Sequence, residues 1–292
     1  MFKKMVLCLI FAALIVPMSV FASTECQTKY PVVLVHGGGL SSQVFGINYW
    51  YKIPTALHEK GSDVYIASLP AIGTEAERRA ELKKCILQVR SISGKNKVNI
   101  IGHCLGGLDA RYVISNMGMA DSVASLTTIS STHKGSALAD MMVGLLPGWA
   151  EDAVAGALNA FASFFFGDNN PDALSLTYML TTKYMNTAFN PAVPNIAGVY
   201  YQSWAGVKTG ITTDLMFDSM WLLAAALEGK NDGCVSVNSA KWGNYRGEMK
   251  GFSLFGGVSH VYEINHPLGN TPGWSAVNFY LDVVKDLKTR GF

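Results

Sequence analysis

Charged residues are scarce in this chain. They make up 15% of its 292 residues, while 49% are hydrophobic, and the formal net charge is +2. No run or stripe of lysine and arginine occurs, which argues against nucleic acid as a partner. The chain also lacks internal repeats and low-complexity segments, so a well-packed globule is the expected architecture.

The N-terminus has the pattern of a secretory signal peptide. Lys3 and Lys4 precede the apolar run MVLCLIFAALIVPMSVF, and Val20 and Ala22 place small residues before a cleavage site after Ala22. We therefore expect residues 1–22 to be removed and the protein to be secreted or periplasmic. The mature chain is then nearly neutral, because 21 basic residues remain against 21 acidic ones.

Short apolar segments alternate with helical patterns along the chain. Six of them predict buried strands: 30–37, 63–68, 97–102, 123–130, 197–206 and 248–257. Residues 74–93 and 105–117 have the apolar spacing of helices. The alternation predicts an α/β fold, a mostly parallel sheet with helices on both faces, whose chemistry lies at the carboxyl ends of the strands.

Residues from about 140 to 190 interrupt this alternation. Val154, Leu158, Phe161 and Phe165 recur at helical spacing there, which predicts an amphipathic helix. The position of the insertion favours a lid over the active-site face that exposes apolar surface when it opens. The alternative is an ordinary helix that packs on the core.

The segment VNIIGHCLGG has the layout of a hydrolase nucleophile turn, but cysteine stands where serine is usual. Cys104 lies between Gly102 and Gly106, after a predicted strand and before a predicted helix. A tight strand-to-helix turn needs small residues two positions away on either side. The positive end of the helix dipole favours a thiolate at this point. Cys104 is therefore predicted to be a nucleophile; the alternative is a buried structural cysteine.

An acid and then a histidine must follow the nucleophile along the chain. This order selects Asp232 in GKNDGCVS as the acid and His260 in GGVSHVYEINHP as the base. Four residues compete for these two roles: His133, His266, Asp214 and Asp218.

Negative charge that develops on the substrate oxygen needs preorganised N–H donors. The backbone of Leu105, at the start of the predicted helix, is one candidate. VLVHGGGL ends the first strand and offers the second donor from Gly38 or Gly39. His36 and His103 lie inside these two motifs, and we interpret them as structural.

Four cysteines remain after removal of the signal peptide, and unpaired thiols risk oxidation in an exported protein. Cys26 precedes the first strand and Cys85 lies on an early helix, which favours a disulfide between them. The alternative is that Cys85 is a small buried residue on an apolar helix face. Cys234 follows Asp232 by two residues, and a disulfide between Cys234 and Cys104 would switch the activity off.

Taken together, these segments resemble the secreted bacterial triacylglycerol lipases of the Pseudomonas–Burkholderia–Proteus type, which have the α/β-hydrolase fold. Matching stretches include KYPVVLVHG, KVNIIGHCLGG, HKGSALAD, GVYYQSW, NDG and SHVYEIN, and they run from Lys29 to about Asn265. The resemblance implies one α/β-hydrolase domain over residues 23–292, with a helical lid at about 140–190. It implies the same site: Cys104 as nucleophile, Asp232 as acid, His260 as base, and Gly38 and Leu105 as oxyanion donors.

Two features depart from the family. Cys104 replaces the nucleophilic serine, and Tyr262 and His266 stand where the family's calcium site has an Asp and a Gln. We therefore expect no metal and no cofactor, although the family implies calcium. As partners we expect a lipid or small ester, a lipid surface met through the lid, and a secretion chaperone of the kind this family uses, with the protein itself a monomer.

The predicted function is that of a secreted carboxylic-ester or lipid hydrolase with a Cys-His-Asp triad and a covalent acyl-enzyme. Thiolate is a better leaving group than alkoxide, so activated esters and thioesters should suit the enzyme better than triglycerides. One alternative is an acyltransferase or thioesterase that uses the same residues. Another is a non-catalytic relative that binds lipid or a protein partner.

Overall fold

The computed structural model describes residues 23–38, 43–44, 47–70, 74–144, 177–210, 215–252, 256–267 and 271–292. The predicted signal peptide and the predicted lid helix at Val154–Phe165 lie outside the described residues. The strands are β1 Val32–Val35, β2 Gln43–Val44, β3 Ile47–Asn48, β4 Val64–Ala67, β5 Val98–His103, β6 Val123–Ile129, β7 Tyr200–Gly206 and β8 Asn244–Met249. The α-helices are α1 Ile53–Glu59, α2 Glu75–Ser93, α3 Leu105–Asn116, α4 Ala137–Met142, α5 Thr182–Tyr184, α6 Asn190–Ala192, α7 Leu215–Glu228, α8 Val237–Ala240 and α9 Ala276–Thr289. Of the helices in these ranges, none is both long enough and apolar enough to cross a membrane.

Six strands form one sheet in the order β4-β1-β5-β6-β7-β8, and every pairing in it is parallel. The predicted α/β fold with a parallel sheet is confirmed. In the register of β1 and β5, Val35 pairs with Gly102. The segments that follow these two strands therefore leave the sheet side by side, which brings Gly37 next to Cys104.

The sheet is buried on both faces, which explains its continuous apolar strands. Successive side chains of a strand point to opposite faces. Accordingly, Val32 and Leu34 belong to one core cluster, with helices α1 and α9, while Val33 and Val35 belong to the other, with helices α2 and α3.

Helix α2 begins and ends where its sequence provides caps. Thr74 Oγ1 accepts a hydrogen bond from the Glu77 amide, and the Glu77 carboxylate accepts one from the Thr74 amide, which makes a capping box. Arg78, in the first turn, pairs with Asp109 of α3 at 2.9 Å and donates to the carbonyl of His36 at 3.0 Å. The helix thus fixes the end of β1, where an oxyanion donor was predicted.

The last predicted strand is displaced in the structure. The sequence predicts a strand over residues 248–257, whereas β8 covers Asn244–Met249. Among the strands that the structure describes, β8 pairs with β7 alone, at the edge of the sheet, and most of its side chains are partly or fully exposed. Its sequence, NYRGEM, is therefore polar, and an apolar pattern could not find it.

The predicted disulfide between Cys26 and Cys85 is wrong, since both are free thiols in the structure. Cys26 is buried in the core on the α9 side, where its thiol donates to the carbonyl of Leu281 at 3.7 Å. Cys85 packs against the core on the α2 side. The two side chains lie on opposite faces of the sheet, which a disulfide cannot span.

Glu228 ends α7 with a carboxyl group in an unfavourable position. Its Oε1 accepts a hydrogen bond from Ser236 Oγ at 3.4 Å. Burial, with a smaller contribution from the negative charge of Asp140, raises the pKa of Glu228 to about 7, although hydrogen bonds from the Ala137 backbone and from Ser236 lower it. Because the folded state favours the protonated form, stability should fall as the pH rises from about 4.5 to about 7.

We predict that Glu228→Gln stabilises the protein at pH 8 by about 1–2 kcal/mol and changes little at pH 5. Urea unfolding at the two pH values measures this difference. Glu248→Gln is the matched control, because the hydrogen bond from Lys250 outweighs burial and lowers the pKa of Glu248. An equal gain for Glu228→Gln at both pH values would contradict the prediction.

Candidate active site

Cys104 is the single residue between strand β5 and helix α3. It has φ 56° and ψ −130°, a conformation that L-residues adopt only under strain. Such a conformation costs about 1–3 kcal/mol and needs surrounding structure to hold it. One contact that stabilises this conformation is the hydrogen bond from the Cys104 amide to the carbonyl of Ile129, at 2.9 Å.

The glycines on either side of Cys104 are required by close packing. A Cβ on Gly102 would lie 2.8 Å from the Cα of Gly107, and a Cβ on Gly106 would lie 2.4 Å from the carbonyl oxygen of Val35. Both separations are shorter than real Cβ contacts. The backbone of α3 therefore lies directly against β1 and β5 and presents Cys104 at the carboxyl end of the sheet.

Asp232 and His260 meet beside this turn, as their order in the sequence predicts. His260 Nδ1 lies 2.7 Å from Asp232 Oδ2, and both side chains are completely buried. The other carboxylate oxygen, Oδ1, accepts hydrogen bonds from the amides of Cys234 and Val235 at 2.8 and 2.7 Å. The His260 amide also donates to the Asp232 carbonyl at 3.0 Å, so side chain and backbone both fix the pair.

The surroundings of Asp232 and His260 favour the charged form of both side chains. Burial alone would lower the pKa of His260, but the charge of Asp232, the charge of Cys104 and the hydrogen bond from the ring to Asp232 raise it well above its ordinary value. Burial opposes ionisation of Asp232, yet His260 and the two backbone amides lower the pKa of its carboxyl group. The imidazole is thus in contact with the carboxylate on one side and with the Cys104 side chain on the other.

One proposed oxyanion donor follows the end of strand β1 and the other begins helix α3, and both of these segments lie next to Cys104. Leu105 is the first residue of α3, and the first N–H groups of a helix have no partner within it. Gly38 is buried three residues after the end of β1. Gly39 lies outside the described residues.

A second buried chain of hydrogen bonds runs beside the first. Ser130 Oγ donates to Glu263 Oε1 at 2.7 Å, and Glu263 Oε2 lies 2.9 Å from His103 Nε2. The other ring nitrogen of His103 lies 2.6 Å from Tyr49 Oη, which accepts from the Gly37 amide at 3.0 Å. Sequence reasoning took His103 as structural and missed Tyr49, Ser130 and Glu263. The one available signal was an acidic residue three positions after His260.

The competing residues serve elsewhere. His133 Nδ1 contacts Arg111 at 3.1 Å, and its ring stacks on Trp242 with centroids 5.4 Å apart. Asp218 pairs with the ammonium group of Lys208 at 2.6 Å. His266 is buried and follows the loop that carries His260, called here the histidine loop; its amide donates to the Val261 carbonyl at 3.1 Å. Asp214 lies outside the described residues.

Cys234 lies close to the His260–Asp232 pair. Three side-chain atoms, the Cys234 sulfur, a ring nitrogen of His260 and a carboxylate oxygen of Asp232, all lie within 4.8 Å of one another. Neither Cys104 nor Cys234 takes part in a disulfide, so the bond that would switch the activity off is not formed in this structure.

The residues at the calcium position of the family do not fit calcium. Tyr262 and His266, both buried, offer a phenol and an imidazole where Ca²⁺ prefers several carboxylate and carbonyl oxygens. The carboxylate of Asp218 already pairs with the buried ammonium group of Lys208. No step of the proposed reaction involves calcium.

Comparison with known proteins agrees with this geometry. The family model of the α/β hydrolase fold matches residues 30–214. The triacylglycerol lipase of Vibrio cholerae is 32% identical over 83% of this chain and 82% of its own length. That of Pseudomonas fragi is 29% identical over 91% and 98%. The solved structure of Bacillus licheniformis lipase BlEst2 in its mature form superposes with a TM-score of 0.60 at 22% identity, covering 81% of this chain and 87% of that one.

The chain belongs to the bacterial lipase family of the α/β-hydrolase fold. The resemblance inferred from the sequence motifs is thereby confirmed. As a member of this family, the protein is a carboxylic ester hydrolase.

We predict that Gly37→Ala in this α/β-hydrolase lowers kcat/KM for esters by about 100-fold or more. The new Cβ would lie 2.8 Å from Cys104 Cβ and 2.9 Å from Tyr49 Oη, so the nucleophile must shift. Gly210→Ala is the control, since its Cβ meets nothing closer than 3.7 Å. Steady-state kinetics of both variants, with thermal melts to show folding, tests the prediction; equal activity would contradict it.

We also predict that EDTA leaves the activity and the Tm unchanged. The residues at the family's calcium position carry a phenol and an imidazole, so chelation removes nothing on which the fold depends. The measurement is ester turnover and thermal unfolding with EDTA and then with excess Ca²⁺. A loss with EDTA that Ca²⁺ reverses would show that the residues bind calcium after all.

Proposed function

We propose that this secreted or periplasmic hydrolase cleaves lipid or small carboxylic esters through a Cys104–His260–Asp232 triad and a covalent acyl-thioester. The observation that carries the proposal is one buried line of contacts. Asp232 bonds to one nitrogen of His260 at 2.7 Å, and Cys104 interacts with the same ring from the strained turn. This arrangement is the one that nucleophilic catalysis requires of a nucleophile, its base and the residue that orients the base.

The first half of the reaction transfers the acyl group to sulfur. The thiol proton of Cys104 passes to His260, the sulfur bonds to the acyl carbon, and the carbonyl electron pair moves onto oxygen. The N–H groups of Leu105 and Gly38 hold this oxyanion. When the adduct collapses, the ester C–O bond breaks and His260 returns the proton to the leaving alcohol.

The second half releases the acid. Water gives a proton to His260 as its oxygen bonds to the acyl carbon, and the C–S bond then breaks with sulfur leaving as thiolate. Asp232 stabilises the imidazolium in both halves and keeps the ring in one orientation. The carboxylic acid is released and Cys104 regains its proton from His260.

The sulfur nucleophile bears on the choice of substrate. In an adduct with an ordinary alkyl ester, thiolate leaves more readily than alkoxide, so return to reactants competes with acylation. We therefore propose that activated esters and thioesters are turned over faster than triglycerides, although the relatives are named triacylglycerol lipases. The thioester would also pass its acyl group to an alcohol acceptor, which makes acyl transfer the second candidate function.

A lipid surface is the proposed setting for the reaction. Helix α7 exposes Leu222 and Leu227 to 58% and 42%, while Phe217 of the same helix lies 6.4 Å from the His260 ring. Helix α4, at the start of the segment for which a lid is proposed, packs against α7. Faster turnover of emulsified than of dissolved ester would support this setting.

We predict that Cys104→Ala abolishes turnover of p-nitrophenyl esters, with a loss of at least about 10³-fold in kcat/KM. His260→Ala should match it, and Asp232→Asn should lose about 10²- to 10⁴-fold, because the imidazole is then held in the wrong tautomer. Intact mass should also show a hydroxylamine-sensitive acyl adduct on Cys104 during turnover.

The matched control is Cys234→Ala, another buried cysteine beside the same histidine, which should keep most of the activity. Full activity of Cys104→Ala would refute the cysteine mechanism. Adding a short alcohol separates the two candidate functions, since an acyltransferase forms a new ester while a hydrolase releases free acid. An inert wild type with an active Cys104→Ser would show a hydrolase scaffold whose thiol suits another donor or acceptor.

A further inference from the structure

Tyr49 lies beside the nucleophile turn, and the proposed triad does not use it. Its side chain is 3% exposed and its ring packs against His36 and His103, with centroids 5.5 and 5.8 Å away. A Cβ placed on Gly37 would lie 2.9 Å from Tyr49 Oη, 2.8 Å from Cys104 Cβ and 3.3 Å from Cys104 Sγ. The hydroxyl therefore lies next to both the nucleophile and the backbone at the end of β1.

The hydroxyl group fixes that backbone directly. The Gly37 amide donates to Tyr49 Oη at 3.0 Å, and this bond has the same direction in either tautomer of His103. Gly37 is bonded to Gly38, whose N–H is the second proposed oxyanion donor. A change in the Gly37 peptide therefore reorients the donor at the next residue.

Glu263 of the histidine loop in turn fixes Tyr49 through His103. His103 lies 2.6 Å from Tyr49 Oη, and its other ring nitrogen lies 2.9 Å from Glu263, three residues after His260. Burial lowers the pKa of His103 well below its ordinary value and raises the pKa of Glu263 well above its own. Neutral partners can hold a hydrogen-bonded chain in this low-dielectric interior without the cost of a buried charge.

We propose that Tyr49 is a positioning residue for the oxyanion hole. The hydrogen-bonded chain Glu263–His103–Tyr49–Gly37 sets the position of the Gly38 amide relative to the base, His260, which lies on the same loop as Glu263. The proposal rests on the proposed function, because it needs Cys104 to form an adduct with a carbonyl. It assigns to Tyr49 an effect on the oxyanion and none on the reactivity of the sulfur itself.

Two probes of Cys104 separate these effects. An alkyl trifluoromethyl ketone forms a hemithioketal: sulfur bonds to the ketone carbon, the carbonyl electron pair moves onto oxygen, and the thiol proton passes to His260. Its affinity therefore reports the oxyanion donors. Iodoacetamide alkylates the same sulfur by displacing iodide and creates no oxyanion, so its rate reports the nucleophile alone.

We predict that Tyr49→Phe weakens binding of the trifluoromethyl ketone by about 10- to 100-fold, since one oxyanion donor is misplaced and not deleted. The alkylation rate of Cys104 by iodoacetamide should stay within about twofold. The kcat for p-nitrophenyl esters should fall with the ketone affinity, while KM changes little, because the interaction is made mainly in the transition state.

Tyr280→Phe is the matched control. Tyr280 is fully buried against Trp50, 5.6 Å between ring centroids, and its hydroxyl has no hydrogen-bond partner within the described ranges. It should keep the ketone affinity of the wild type, and thermal melts should show both variants folded. A second chain variant, Glu263→Leu, should weaken ketone binding in the same direction as Tyr49→Phe.

Each other outcome overturns the proposal in a recognisable way. Unchanged ketone affinity in Tyr49→Phe would show that Tyr49 does not set the oxyanion donors. An equal loss in both probes would assign Tyr49 to the sulfur instead. A wild type whose Cys104 reacts with neither probe would refute the cysteine mechanism and, with it, the role proposed for Tyr49.

Discussion

The close contact of backbone with backbone at the Cys104 turn is the constraint on which the rest of the site depends. A φ of 56° is tolerated there because Gly102 and Gly106 let α3 lie directly against β1 and β5. The register that pairs Val35 with Gly102 then aligns the end of β1 with the nucleophile. With any larger side chain at these glycines, the helix would move away from the sheet and carry both Cys104 and its oxyanion donor with it.

The site buries two acids and two histidines, which would be costly if all four side chains were charged. One acid–histidine pair is charged and the other is neutral. Asp232 and His260 form a charged pair once His260 holds the thiol proton of Cys104, and the carboxylate is also satisfied by two backbone amides. The neighbouring Glu263 and His103 are kept neutral by the same burial. Two acids and two histidines thus share one apolar region, because only one of each carries charge.

The replacement of serine by cysteine changes the chemistry more than the architecture. The fold is that of the α/β-hydrolase family, and the thiol of Cys104 occupies the turn between β5 and α3. In the proposed mechanism, what changes is the partition of the tetrahedral adduct, which depends on the relative leaving ability of sulfur and oxygen. A scaffold shared with triacylglycerol lipases is therefore compatible with a preference for more activated acyl donors.

Local pattern was sufficient wherever function depends on a short segment. Strand β5, the glycines around Cys104 and the order of Asp232 and His260 could all be predicted, because a tight turn and a triad impose spacing and order on the sequence itself. Residues joined only by folding could not be found in that way. The chain from Glu263 through His103 to Tyr49 connects three distant segments, and no periodicity relates them. For the same reason Cys26 and Cys85 could not be separated by sequence: which face of the sheet a cysteine occupies depends on how strands and helices pack. Edge strand β8 was misplaced because its exposure permits polar residues. The sequence by itself therefore determined the tight turn at Cys104 and the order of its proposed partners, while the tertiary structure alone decided the pairing of buried polar groups and of thiols, since those contacts exist only once distant segments pack together.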